Sequence, residues 1–295
     1  MTDITASAAR ALSAQARDEH LPGGRALRVV PGNAVAVLTA AMGAPQRLAE
    51  AAALDAGLVP VRYRGNMACY SLAEQAALLR AEILLVGLGG LGGCVLEILA
   101  RAGLGRITVC DPEEFEESDY NRQVLCTRAT RGGPKVRAAQ HRAGDVNPAV
   151  EIASLEGAFA CDQNGRPLSR DHEQALQGVG ILADCLDGSD NKADMARAAG
   201  RRGIPLVSAG VAGQAGWVGV MLPGGPSPAE AMARSAPQTA DRELQPGAPA
   251  PAVGLAASLQ AEQILALAAG REPALAGKVL AFDLARMGFE TVPLD

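Results

Sequence analysis

The sequence predicts an α/β protein with a Rossmann-like, doubly wound, mostly parallel sheet. From residue 82 onward, short apolar runs typical of buried strands alternate with helical patterns, and the joints between them are short. A glycine-rich turn joins the first of these strands to the following helix. Residues 216–222 and 278–283 follow connections too short for crossover helices, so these strands are expected to add antiparallel pairs to the sheet.

The elements follow one another in a regular order. Residues 1–60 are an alanine-rich N-terminal extension with a strand at 25–30 and a helix at 45–56, and no motif assigns them a role. The predicted strands of the main domain, 61–295, cover residues 82–86, 106–110, 150–154, 179–183, 205–209, 216–222 and 278–283. The predicted helices cover residues 94–102, 135–146, 170–177, 190–200 and 252–269. Residues 223–251 have no apolar period and are predicted to form a long loop.

Composition excludes several classes of protein. The net charge of -5 gives no long-range attraction for a nucleic-acid backbone, so DNA is not expected as a partner. The longest apolar run is broken by glycines and carries Glu97, which argues against a membrane span, and the first residues lack a secretory pattern. A cytoplasmic protein is therefore expected. Six cysteines without any C-x-x-C pair predict reduced thiols and no structural zinc.

The glycine turn has the pattern of a nucleotide-binding site. Its glycines are Gly87, Gly89, Gly90 and Gly92, and they lie between a strand and a helix. Such a turn lets the backbone approach a phosphate, and the helix N-terminus offers unpaired amide donors. Asp111, at the end of the next strand, is placed to accept hydrogen bonds from ribose hydroxyls. The turn alone does not distinguish NAD from ATP.

The residues after Asp111 favour ATP. Asn121, Arg122, Gln123 and Lys135 are polar or basic residues close behind the ribose acid, and the chain has only three lysines. A triphosphate requires a guanidinium and an ammonium to offset its charge, whereas a dinucleotide does not need this cluster. For any single basic residue, a solvated surface position is the ordinary alternative.

A third group of carboxylates follows the strand at 179–183. Asp187 would face the same crevice as the glycine turn, because ligands of open α/β sheets bind at the carboxyl ends of the strands. A carboxylate beside phosphates is a usual ligand of magnesium, so Asp187 is predicted to hold Mg²⁺ together with ATP. Asp190 precedes a helical segment and is predicted to cap it.

These motifs together resemble the ThiF/MoeB/HesA family, the bacterial relatives of ubiquitin-activating enzymes. The resemblance covers about residues 62–294 and rests on the runs VGLGGLGG, CDPEEFEESDYNRQ, GGPK, DCLD and GLAASLQAEQIL, which occur in the family's order. It implies a ThiF-type fold in which residues 61–295 form the ATP-binding adenylation domain and residues 223–251 the crossover loop. It also implies a homodimer that activates the C-terminal glycine of a small ubiquitin-like sulfur carrier (ThiS or MoaD type, ending in Gly-Gly) as an acyl-adenylate.

The resemblance assigns roles to individual residues. Asp111 would bind the ribose, Arg122 and Lys135 the phosphates, and Asp187 the magnesium ion, while Gly89, Gly90, Asn121 and Gln123 would lie near the nucleotide. Many relatives carry an arginine at the position of Gly65 that reaches the neighbouring subunit's ATP site, and Arg64 is the candidate to replace it. Asp119 stands where relatives commonly have asparagine. A tRNA-modifying dehydratase of the same superfamily and a catalytically weak scaffold that binds the carrier are the alternatives.

Overall fold

Two sheets organise the chain in the computed structural model, which describes residues 10–21, 24, 26–187, 189–235 and 247–294. The strands are β1 Arg17–His20, β2 Ala26–Val30, β3 Leu58–Pro60, β4 Glu82–Val86, β5 Arg106–Cys110, β6 Glu151–Leu155, β7 Ile181–Asp184, β8 Leu206–Ala212, β9 Ala215–Met221, β10 Lys278–Asp283 and β11 Gly288–Pro293. The helices are α1 Gly32–Met42, α2 Gln46–Asp55, α3 Leu72–Arg80, α4 Gly90–Ala102, α5 Lys135–Val146, α6 Arg170–Ala175, α7 Ser189–Arg202, α8 Pro228–Ser235 and α9 Ala250–Ala268.

The larger sheet is mixed, as the sequence predicts. Its strand order is β11-β10-β9-β8-β7-β4-β5-β6, with parallel pairing from β6 to β8 and antiparallel pairing from β8 to β11. In the central register Val86 lies opposite both Cys110 and Asp184. The segments that follow β4, β5 and β7 therefore leave the sheet at one edge. The chain order reverses between β4 and β7, which is where α/β sheets commonly bind ligands.

Helices cover both faces of this sheet. Ile83 and Leu85 of β4 belong to one apolar core with residues of α4, α5 and α9, whereas Leu84 and Val86 belong to a second core with residues of α6 and α7. This division follows from the alternation of side chains along a strand. No helix in the described part of the chain is both long and apolar enough to cross a membrane.

The N-terminal region folds into the smaller sheet, in the order β1-β2-β3, with α1 and α2 beside it. Its link to the main sheet is the largely buried Arg47 of α2, which forms ion pairs with Glu82 at 3.0 Å and Glu151 at 2.9 Å. Glu82 and Glu151 begin β4 and β6. The N-terminal region therefore contacts the amino ends of these strands, at the opposite end from the segments that follow β4, β5 and β7.

Several elements differ from the sequence-based expectation, since strands β1 and β3 and helices α1 and α3 were not predicted. The predicted loop 223–251 includes the helix α8, and its residues 236–246 lie outside the described residues. Strand β11 was not predicted, because every one of its residues is exposed and the sequence shows no alternation of apolar and polar positions. All six cysteines are unpaired, and Cys110, Cys126, Cys161 and Cys185 are buried.

Candidate functional site

A cleft with a volume of about 900 Å³ opens at the carboxyl ends of β4, β5, β6 and β7. Most of the predicted site residues line it, namely Gly87, Gly89, Gly90, Asp111, Arg122, Gln123, Lys135 and Asp187. Gly92, Asn121 and Arg64 do not line it. The sheet thus brings together residues that are as much as 100 positions apart in the chain, from Gly87 to Asp187.

The glycine turn forms the floor of the cleft. Gly87 has a φ of 91°, and a Cβ atom there would lie 2.6 Å from the carbonyl oxygen of Cys185. The turn is therefore packed directly against the segment that leads from β7 to Asp187. Helix α4 begins after Gly89, which provides no side-chain cap, so no side chain at that position occupies the first backbone amides of the helix. Free amides at a helix N-terminus are suitable donors to an anion.

Gly92 has a packing role that explains its absence from the cleft wall. A Cβ atom at this position would lie 1.7 Å from the carbonyl oxygen of Gly87. The first turn of α4 thus approaches the glycine turn more closely than any side chain allows. The glycine pattern consequently combines two functions, since Gly89 and Gly90 line the cleft whereas Gly92 lets the helix approach it.

Asp111 is buried at the end of β5 and joins two backbone segments. Its Oδ2 accepts a hydrogen bond from the amide of Leu88 at 2.6 Å, and its Oδ1 accepts one from the amide of Glu113 at 2.8 Å. Burial raises the pKa of Asp111 above its ordinary value, although both amides and the ammonium of Lys135 act in the opposite direction. Each carboxylate oxygen can accept a further hydrogen bond from a ligand in the cleft.

Lys135 supplies a buried positive charge. It is the first residue of α5 and only 3% exposed, and its Nζ lies 2.6 Å from Oε2 of Glu113, whose side chain is 67% exposed. The ammonium also lies 5.6 Å from the centre of the Phe115 ring. A backbone bond from the amide of Lys135 to the carbonyl of Glu113, 2.9 Å long, fixes the start of the helix against the loop.

Arg122 is oriented by its neighbours in the turn. Its Nη1 donates to Oδ1 of Asn121 at 2.8 Å and to the carbonyl of Ser118 at 3.1 Å. Asn121 therefore contacts Arg122 rather than the cleft. The nearly buried Asp119 lies 3.7 Å from the guanidinium and accepts a hydrogen bond from the amide of Glu116 at 3.0 Å. The charge of Asp119 is thus paired within the turn.

Gln123 lies between Asp119 and the glycine turn. It is 5% exposed, and its Nε2 donates to a carboxylate oxygen of Asp119. Its Oε1 has no hydrogen-bond partner among the described residues. A buried amide oxygen without a partner is uncommon in folded proteins, and here it belongs to a residue of the cleft wall.

Asp187 is an exposed carboxylate at the rim of the cleft, where it follows Leu186 of the same wall. Among the described residues, no three His, Cys, Asp or Glu side chains are arranged to bind a metal ion. Asp190, predicted to precede and cap α7, is instead the second residue of that helix, and its side chain lies outside the described residues.

Arg64 is part of the N-terminal contact. It forms an ion pair with Glu19 of β1 and is partly exposed. Glu19 belongs to the small sheet, so within one chain Arg64 lies beside the N-terminal region and not beside Arg122 or Lys135.

Other residues of the cleft wall were missed by the sequence-based prediction. Gly157, Ala158 and Phe159 follow β6 and line the cleft, and Glu113 pairs with Lys135 there. A signal for the first three was present, because β6 was predicted to be parallel to β5 and its carboxyl end must meet the same edge of the sheet. The pairing of Glu113 had no comparable signal, since any of several nearby carboxylates could have faced the lysine.

Comparisons with known proteins agree with this fold. A molybdopterin-synthase adenylyltransferase from Salmonella typhimurium is 28% identical over 226 residues, which is 76% of this chain and 88% of that protein. A sulfur carrier protein ThiS adenylyltransferase from Escherichia coli is 28% identical over 214 residues, which is 72% of this chain and 82% of that protein.

Solved structures with low sequence identity have the same fold. The protein PaaA superposes with a TM-score of 0.65 at 22% identity, covering 79% of this chain and 73% of PaaA. The Escherichia coli protein MccB, solved with ATP, superposes with a TM-score of 0.65 at 21% identity, covering 79% of this chain and 70% of MccB. The ThiF family profile matches residues 63–295. The chain therefore belongs to the ThiF family.

Proposed function

We propose that the chain is an ATP-dependent adenylyltransferase, a nucleotidyltransferase that activates the C-terminal glycine of a small ubiquitin-like sulfur carrier ending in Gly-Gly. The observation that carries the proposal is the convergence of Asp111, Lys135 and Arg122 on one cleft whose floor is the glycine turn. Relatives of similar length bear the names of adenylyltransferases for molybdopterin synthase and for the carrier ThiS. The proposed substrate class follows from these names.

The cleft residues fit ATP in a definite arrangement. Asp111 accepts hydrogen bonds from the ribose hydroxyls, because both of its oxygens keep acceptor capacity after binding Leu88 and Glu113. The first amides of α4 donate to the phosphates. Lys135 and Arg122 offset the phosphate charge, Lys135 as a compact ammonium and Arg122 as a planar fork held by Asn121.

The reaction needs positioning and charge stabilisation rather than a protein nucleophile. The carrier's carboxylate oxygen attacks the α-phosphorus of ATP, the bond from that phosphorus to the bridging oxygen breaks, and pyrophosphate leaves with the electron pair. The product is a mixed anhydride between glycine and AMP. Burial raises the pKa of both cysteines of the cleft wall, Cys110 and Cys185, so their thiols stay protonated. We therefore assign no thioester step to either cysteine.

Magnesium fits the site as part of MgATP. Carboxylates outnumber basic side chains in the cleft wall: Asp111, Glu113, Glu114, Glu116, Asp119 and Asp187 stand against Arg122 and Lys135. A triphosphate in such a wall requires further positive charge. Mg²⁺ takes few protein ligands and keeps waters and phosphate oxygens in its coordination sphere, so the single carboxylate of Asp187 is sufficient. When bound, it would neutralise phosphate charge.

Replacing Asp187 by asparagine is expected to raise the magnesium concentration that gives half-maximal ATP–pyrophosphate exchange by about tenfold or more, because a neutral amide binds Mg²⁺ weakly. Exchange at several magnesium concentrations measures this shift. The Glu290→Gln variant, at an exposed position of β11, is the matched control and should behave as the parent protein. An unchanged magnesium dependence in D187N would contradict the assignment.

The raised pKa of Asp111 predicts a pH dependence of ATP binding. A carboxyl with a raised pKa takes up its proton at a higher pH than an ordinary aspartic acid does. The protonated carboxyl is a poor acceptor of hydrogen bonds from the ribose hydroxyls. ATP should therefore lose its advantage over 2′,3′-dideoxy-ATP, which lacks both hydroxyls, as the pH falls from about 7 to about 4. Calorimetric titration of both nucleotides gives the ratio of their dissociation constants. A ratio independent of pH would refute the role of Asp111.

The proposal as a whole is tested by ATP–pyrophosphate exchange with purified carriers that end in Gly-Gly. Exchange that requires both the carrier and its terminal glycines supports it. ATP binding without exchange for any carrier would favour the scaffold alternative, and exchange with a modified tRNA would favour the dehydratase. We further propose a cytoplasmic homodimer in which Arg64 reaches the partner's site. Sedimentation of the parent protein and of Arg64→Ala tests this assembly.

A further inference from the structure

A buried ion pair lies directly behind the wall of the cleft. Lys192 of α7 and Asp184 at the end of β7 have side chains that are 8% and 0% exposed. The Nζ atom of Lys192 is 3.2 Å from each carboxylate oxygen of Asp184 and 2.8 Å from the carbonyl oxygen of Ala209. The ring of Trp217 is 5.7 Å from the same ammonium. Lys192 thus bridges the beginning of α7, the end of β7 and the middle of β8.

The carboxylate of Asp184 shapes the backbone that leads to Asp187. Its Oδ1, one of the two oxygens held by Lys192, accepts a hydrogen bond from the amide of Leu186 at 3.0 Å. Its Oδ2 accepts a hydrogen bond from the hydroxyl of Ser208. The carbonyl of Asp184 accepts a hydrogen bond from Nε2 of Gln260 at 2.8 Å. The residue after Leu186 is Asp187, and both line the cleft.

A buried ion pair is a poor source of stability, because removing both charges from water offsets most of their attraction. The role of the pair is instead to orient the carboxylate of Asp184. Two carboxylate oxygens held by one ammonium fix the plane of the carboxylate, and that plane fixes the amide of Leu186. The glycine turn limits the same segment from the other side, since a Cβ atom at Gly87 would meet the carbonyl of Cys185 at 2.6 Å.

We infer that Lys192 is a positioning residue for Asp187, acting through the carboxylate of Asp184 and the amide of Leu186. The inference rests on the proposed function, in which Asp187 binds the magnesium ion of MgATP. Lys192 touches neither nucleotide nor metal. Its effect is to hold the backbone before Asp187 in the conformation that presents this carboxylate to the cleft.

A double-mutant cycle of Lys192→Met and Asp187→Asn tests the inference. The measured quantity is the ratio of the ATP dissociation constants without and with Mg²⁺. K192M is expected to reduce this ratio about tenfold, as is typical when a group supporting a metal ligand is lost. In the D187N background the ratio is already small, and K192M should then change it less than about twofold, because residues that act as one unit are not additive.

Controls distinguish this role from a general loss of structure. The Lys278→Met variant removes an exposed lysine of β10 and should leave the ratio unchanged. Lys192→Arg keeps the positive charge and should restore most of the ratio lost in K192M. If K192M does not fold, Lys192→Gln, which also removes the charge, takes its place in the cycle, and the change that it causes must disappear in the D187N background.

The outcomes separate the inference from the proposed function. Additive effects of K192M and D187N, or a K192M protein with the parent ratio, would overturn the role of Lys192. A parent protein whose ATP binding is independent of Mg²⁺ would overturn the assignment of Asp187 itself. A parent protein that binds no ATP would overturn the proposed function.

Discussion

Replacing Lys135 by methionine is expected to weaken ATP binding about 100-fold, or roughly 2.7 kcal/mol, and to reduce ATP–pyrophosphate exchange at least as much. The ammonium is almost fully buried, so a phosphate that meets it gains a charge-assisted bond largely sheltered from water. Methionine fills a similar volume beside Phe115 but offers no charge. Calorimetric titration with ATP and an exchange assay measure the two effects.

The K135M protein should remain folded, which makes its loss of binding interpretable. Glu113, the ion-pair partner of Lys135, is 67% exposed and remains solvated when the lysine is removed. Thermal unfolding of the variant should therefore lie close to that of the parent. Lys278→Met, at an exposed position of β10, is the matched control and should bind ATP as the parent does. ATP binding by K135M within about threefold of the parent would remove Lys135 from the phosphate site.

Replacing Gly92 by alanine is expected to lower the free energy of unfolding by about 3 kcal/mol or more. The added Cβ atom would lie 1.7 Å from the carbonyl oxygen of Gly87, and a backbone atom has no rotamer through which to move away. Helix α4 or the glycine turn must shift instead. ATP binding should fall as well, because the same shift moves Gly89 and the first amides of the helix.

Gly144→Ala is the matched control for this effect. Gly144 lies in α5, and a Cβ atom there would have no atom within 4 Å. Alanine in a helix is favoured over glycine, so this variant should be neutral or more stable by about 0.5–1 kcal/mol. Urea unfolding of the three proteins gives the comparison. If G92A matched G144A in stability, the close approach of α4 to the glycine turn would be wrong.

Strong local signals account for the parts of the fold that sequence reasoning predicted. The apolar run of β4, the glycine turn and Asp111 form a pattern whose geometry follows from the parallel sheet. Pro134 was expected at the first helical position, and it lies one residue before it, since α5 starts at Lys135. Strand β11 and helix α8 lack such signals, because one has no buried face and the other is a short helix within a Pro- and Gly-rich stretch.

The features of the site that could not be predicted depend on pairings between side chains. Lys135 could be assigned to the site from its position, but its partner Glu113 could not, since five other carboxylates occur between residues 111 and 119. Lys192 gave no functional signal in the sequence. The role of Lys192 follows only from the three-dimensional structure, in which α7 places the Lys192 ammonium against the carboxylate of Asp184. Such contacts are set by the packing of helices on the sheet and not by local pattern.

Trp217, which lies beside the Lys192 ammonium, gives the chain a built-in optical probe. It is the single tryptophan of the sequence, so all of the protein's tryptophan fluorescence comes from this one residue. This residue is next to the ion pair that orients the backbone before Asp187. Stopped-flow measurement of tryptophan fluorescence can therefore follow changes behind the cleft wall in the unlabelled protein. Nucleotide and magnesium can be added in either order.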